Sequence, residues 1–367
     1  MEFEFLKPKS KLHSILLAAI ITLAVFLIAL IIRNSKDAPL ETALRLNTSG
    51  SRDVQIYEDK IFYIEGGSLH CVTTEGKFVW NLSVESGAGF NVTGKGVAVW
   101  TGTRVRLIDT LTGVESGVVS AGKEVLSAVV GDVYAAIVLA PEHSSEVLLT
   151  DLYGSEVDRL TDFEEVTVVD CGFFEGRELF WIMTLDSTGS LPTCKISTYK
   201  PGKRETGSIT DMEQVIYKVM FRSNNICAVG TNYMRVYDYT GSEKTDEQLM
   251  VYGWTLEAVE SNSENPLMLF TQPKSEGDEY AFCDVRCVKG KSEYMLHLNV
   301  ECSALSVFND TVYGFGGSML VVADYKTGAS NVYRMPVSVD SVLGITSDRT
   351  AVVASGSSIY MIKLPEN

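Results

Sequence analysis

A polar turn containing glycine recurs along this chain at a spacing typical of repeat architectures. It ends the segments LHCVTTEG (Gly76), VRLIDTLTG (Gly113), LLTDLYG (Gly154), ISTYKPG (Gly202), RVYDYTG (Gly241), VRCVKG (Gly290) and VVADYKTG (Gly328). Successive glycines lie between 37 and 49 residues apart, and an eighth copy, IYMIKLPEN, follows at Ile359–Asn367. Tight hairpin turns often need positive φ, which glycine reaches without steric cost.

Upstream of each turn lies a run apolar at nearly every position. The eight runs are KIFYI, GVAVW, VYAAIVLA, LFWIMTL, ICAVG, PLMLF, TVYGFGG and TAVVA. Continuous apolar runs of this length read as strands buried on both faces. A weaker strand precedes each, such as VLSAVV from Val125, and most turns lead into a fourth, such as KFVWNL from Lys77. Four antiparallel strands every 40 residues or so describe a β-propeller blade. The sequence therefore predicts an all-β, eight-bladed β-propeller over residues 41–367, with a seven-bladed ring as the alternative. The last blade has three strands of its own, and ETALRLN (Glu41–Asn47) is the candidate for its missing outer strand. Such sharing would remove an open sheet edge.

Residues 15–32 read ILLAAIITLAVFLIALII, with only Thr22 departing from apolar. At about 1.5 Å per residue this run reaches about 27 Å, enough to cross a hydrocarbon layer. No Ala-x-Ala site precedes Arg33, Asn34, Ser35 and Lys36, so the run reads as an uncleaved anchor instead of a signal peptide. Lys7, Lys9 and Lys11 lie before it, which places the tail in the cytoplasm. The expected organisation is a cytoplasmic tail (1–14), a transmembrane helix (15–32), a short linker (33–40) and an extracytoplasmic propeller (41–367). Expected localisation is thus the cell membrane, single-pass, with the propeller outside.

The net charge is −16 and no basic cluster occurs beyond the tail, which disfavours a nucleic-acid partner. The seven cysteines include no Cys-x-x-Cys pair and read as buried free thiols.

The turns LIDTLTG, VYDYTG and VADYKTG resemble the repeats of quinoprotein-like (PQQ-like) propellers, and KFVW resembles the fourth strand of such a repeat. The whole layout resembles a family of bacterial single-pass membrane proteins with a quinoprotein-like β-propeller. The resemblance implies fold and placement but no activity. A quinone-cofactor dehydrogenase would need adjacent cysteines, which the chain lacks, so no cofactor is expected.

Catalytic motifs are missing too: the sequence has no Gly-x-Ser-x-Gly, no His-Glu-x-x-His and no phosphate loop. His70 and His297 fall inside strands, and the runs Asp162–Glu165 and Glu276–Glu279 lack calcium-loop alternation. Three turns between second and third strands are expected to be enlarged: Pro141–Glu146, Asp186–Thr193 and Gln272–Glu279. They would raise a binding rim carrying Glu142, His143, Glu146, Asp186, Lys274, Glu276 and Asp278. The expectation is a non-enzymatic binding or scaffolding module with an envelope or membrane protein partner. An envelope enzyme, possibly sugar-active, with acids in the central channel is the first alternative, and a sensor ectodomain signalling through a membrane partner is the second.

Overall fold

A computed structural model describes residues 39–365 apart from 41–43, 47, 49–52, 142–143, 177, 204, 212–213, 261–262 and 273–280. The expected tail, transmembrane run and most of the linker lie outside these. Among the described residues, no helix is long and apolar enough to cross a membrane.

The strands form eight antiparallel sheets. Blades one to six cover 54–83, 89–120, 125–164, 166–211, 216–250 and 255–302, each with four strands in sequence order. Blade seven covers 304–339. Its long strand Thr311–Asp324 pairs through its first half with Ala304–Phe308 and through its second with Ser330–Val339. Gly317, at φ 55°, marks the turn between the halves. Around most of the ring the first strands of neighbouring blades contact one another, so they line the ring axis and the fourth strands form the rim.

Blade eight settles the ring as eight-bladed and closed. Its strands Ser341–Ile345, Thr350–Ser355 and Ser358–Lys363 are completed by Leu44–Arg45, which pairs Leu44 with Met361 and Arg45 with Tyr360. The Leu46 amide donates to the Ile359 carbonyl at 2.9 Å. Leu46 is buried against Val54, Ile61, Val352 and Met361, which ties the seam between blades eight and one. The expected sharing of one blade by both ends of the propeller is therefore observed.

The apolar second strands form the core. Ile61, Phe62, Val97, Ala136, Ile137, Ile182, Val229, Phe270 and Val352 are all fully enclosed. Side chains pointing to opposite faces pack against the blades on either side, so each strand contributes to two of the eight interblade clusters. Burying one such side chain stabilises the fold by roughly 1.5–3 kcal/mol.

Two recurring polar devices hold neighbouring blades in register. The first explains the repeat turn. In blades two, three, five and seven its aspartate, Asp109, Asp151, Asp238 or Asp324, accepts backbone N–H bonds from residues two to four positions ahead. All four carboxyls are held below the usual aspartate range, chiefly by the Thr112 and Thr240 hydroxyls at Asp109 and Asp238 and by the Ser155 and Thr327 amides at Asp151 and Asp324. The turn then docks on the outer strand of the preceding blade. A Cβ at Gly113, where φ is 71°, would sit 2.6 Å from the Trp80 ring, whose indole N–H donates to the Thr110 carbonyl at 3.1 Å.

The second device is an arginine on the third strand that reaches back to the last residue of the preceding blade's outer strand. Arg106 donates to the Ser83 carbonyl, Arg286 to the Met250 carbonyl, and Arg235 to the Asp211 carboxylate. At this last seam Asp211 is 1% exposed, and its Oδ2 also accepts from Gln214 Nε2 at 2.8 Å.

Candidate functional site

The ring axis is the natural place for a site. On one side it opens into a cavity of about 660 Å³, lined by the first strands of blades one, six, seven and eight. Ile56, Ala258, Val259, Val307 and Leu343 give this wall an apolar character, and Glu58 and Glu257 are its carboxylates. Glu257 accepts a hydrogen bond from the Thr271 hydroxyl at 3.1 Å.

Backbone irregularity shapes the wall. In five of the eight first strands the register slips by one residue, at Leu126, Val169, Tyr217, Glu257 and Leu343. A bulge leaves its extra residue out of the ladder and re-aims the side chain. In blades three, four and five these residues are apolar and exposed: Leu126 by 53%, Val169 by 52% and Tyr217 by 40%. The Tyr217 hydroxyl accepts the Leu256 amide at 3.1 Å, which fastens its ring to blade six.

Charged groups follow two of these bulges, Asp170 in blade four and Lys218 in blade five. Asp170 follows the bulge of blade four, open to the channel yet surrounded by it. That surrounding protein pushes its carboxyl pKa up, and Lys218 of blade five offsets part of the rise. Burial likewise pushes the thiols of Cys71, Cys287 and Cys302 up to about 12, so they stay protonated near neutral pH. The seven thiols are all free, with five buried and two half-buried, as the sequence suggested.

The expected rim is only partly described. Glu142, His143, Lys274, Glu276 and Asp278 lie outside the described residues. Glu146 is not in a loop: it sits inside the strand Ser144–Asp151, opposite Leu139. The polar pair Ser144–Ser145 reads as loop in sequence, but both residues extend the pairing with blade three's outer strand. The Glu146 carboxylate is clamped by Lys123 at 2.6 Å and Arg159 at 3.4 Å, which hold its pKa down. Asp186 does begin an enlarged turn. Its Oδ1 accepts from the Thr188 amide at 2.9 Å and hydroxyl at 2.7 Å, and Leu191 further along is 70% exposed. Asp186 also lines a groove of about 670 Å³ between blades three and four, together with Lys195 and Tyr199. Sequence reasoning missed the bulge residues. Their signal, an apolar residue breaking the inward–outward alternation, is faint in strands this short.

No protein-family model matches the chain, and no curated protein matches it. Among solved structures, the fold is similar to Sqt1 of Saccharomyces cerevisiae, at 11% identity and a TM-score of 0.59, over 90% of this chain and 100% of that one. It is also similar to BamB from Moraxella catarrhalis, at 10% identity and a TM-score of 0.54, over 89% of this chain and 99% of that one. At these identities the likeness is one of fold: the chain is an eight-bladed β-propeller.

Proposed function

We propose that this protein is a membrane-anchored, extracytoplasmic β-propeller that acts as a non-enzymatic binding or scaffolding module, with an envelope or membrane protein as partner. The observation that carries the reading is the exposed apolar arc of Leu126, Val169 and Tyr217 at the ring axis. Apolar groups set out of the ladder and open to solvent mark interaction sites. Charged groups away from the axis, by contrast, hold the fold together: Asp109 and Asp324 brace turns, Arg235 clasps a seam and Glu146 is clamped by two cations. The anchor rests on the apolar run 15–32 and its flanking lysines. The test is a photo-crosslinking residue at Leu126 or Val169 of the full chain in its native membranes. An adduct with a second protein species is expected. Self-adducts alone, or none, overturn the reading.

A second reading, an envelope enzyme acting on a sugar polymer in the channel, draws on the raised carboxyl of Asp170 beside Lys218. It requires a glycosidic cleavage activity that Asp170→Asn abolishes and Glu156→Gln leaves intact. Equal activity in both variants refutes it.

A further inference from the structure

The rim of the ring carries a second exposed apolar surface, distinct from the channel. Leu44 on blade eight, Phe78 on blade one, Leu111 and Val114 on blade two, and Tyr153 and Val157 on blade three are between 37% and 79% exposed. All lie on outer strands or on the turns that dock against them. Leu44 lies against Gly76 of the blade-one turn, the Tyr153 backbone lies against Gly117 of blade two, and Val157 faces Gly202 of the blade-four turn. The six therefore follow one continuous edge around half the ring.

Two further observations say what covers this edge. The first is where the chain arrives. Pro39 bridges to Arg334 on the outer strand of blade seven, the Leu40 amide donates to the Arg334 carbonyl at 2.9 Å, and Leu44 opens the arc one blade further on. Only residues 33–38 separate Pro39 from the end of the apolar run at Ile32, so Pro39 lies within about 25 Å of that end. The second is charge. Three glutamates beside the arc are ion-paired, Glu75 with Lys77, Glu115 with Arg106 and Glu156 with Arg159, and the turn aspartates Asp109 and Asp151 are tied up by backbone amides of their own turns.

We infer that this edge, from blade eight to blade three, rests on the lipid surface, with Phe78 and Tyr153 entering the interface. The inference rests on the anchor reading above. Aromatic and aliphatic side chains on an edge whose charges are paired or held by turn amides suit the headgroup boundary of a zwitterionic bilayer, where Tyr and Trp concentrate. The ring is then held by its rim, and its axis stays open to the aqueous side.

The test uses the full chain in phosphatidylcholine vesicles with brominated acyl chains, which quench tryptophan on contact. Phe78→Trp and Tyr153→Trp report from the arc. Tyr252→Trp, at a position 75% exposed on the far side of the ring, is the control. The fluorescence added by the first two should fall at least about twofold on bromination, while that of the control holds. Equal quenching at all three, or none at the arc while the protein withstands an alkaline carbonate wash, overturns this inference and leaves the anchor standing. Protein lost in the wash overturns both. Arc tryptophans shielded from aqueous iodide yet insensitive to brominated lipid show a second copy or a protein partner on the edge instead, which also overturns it.

Discussion

Removing the Asp211 carboxylate should destabilise the propeller far more than removing an ion pair from its surface. Asp211 is 1% exposed and Gln214 5%, and one carboxylate oxygen serves both Gln214 Nε2 and Arg235 Nη1, at 2.8 and 3.2 Å. The Arg235 side chain is itself only 15% exposed and lies over the Tyr233 ring at 5.2 Å. Asp211→Ala takes the carboxylate from both donors at an enclosed seam, which costs about 3–5 kcal/mol by analogy with other broken buried pairs. For a domain this size that corresponds to a fall in Tm of roughly 4–7 °C. The control is Asp246→Ala, which breaks the Lys291 pair at 2.6 Å, whose side chains are 64% and 73% exposed. A fully solvated pair of this kind adds little to stability, because water screens it and two long side chains must be ordered to make it. Both variants are followed by thermal and urea unfolding of the full chain, with tryptophan fluorescence as the probe. The double variant Asp211→Leu/Arg235→Met separates pairing from packing, since apolar replacement of both partners is often neutral. Equal losses from Asp211→Ala and Asp246→Ala would refute the argument that burial sets the magnitude.

Two further outcomes follow from the closure and the turns. Leu46→Ala should cost about 2–5 kcal/mol as a cavity at the closing seam, and amide exchange at Ile359 and Met361 should quicken while that at Ala228 and Val229 of blade five holds; unchanged exchange at the seam would remove Leu46 as a tie. The turn aspartates Asp109, Asp151, Asp238 and Asp324 have lowered pKa values, so the unfolded chain binds more protons than the fold does as pH falls. Their contribution is complete above about pH 4, near the free aspartate value, and is lost below it; denaturant midpoints taken down this range should drop less steeply when all four are Asn, and an identical slope would contradict the turn's role.

Much of the ring was legible because its signals are local. A glycine such as Gly113 or Gly241 advertises a hairpin by itself, and runs such as ICAVG and PLMLF announce double-sided burial within five residues. The closing strand was legible too, as a leftover strand opposite a blade one strand short. Other features are encoded across distance. Nothing near Arg235 in sequence indicates that it reaches 24 residues back to Asp211, and nothing near Glu146 names Lys123 as its partner. The turn aspartates were visible as a family-like pattern, but their work is backbone satisfaction, which appears only once the turn is folded. The site fared worst, because a bulge such as the one at Val169 depends on the register between two strands and not on the composition of either.

The pairing of Leu44 with Met361 also sets the order of events in folding. Among the described residues, every other pair of named strands joins segments close in sequence and can form as the chain is made. This pair spans almost the whole propeller, so its contact order is extreme, and closure waits for the last blade. Until then the nascent ring has two free strand edges, and its slowest, most aggregation-exposed stage is the wait for that blade. A truncation that removes only the last three strands would leave seven intact blades that cannot close.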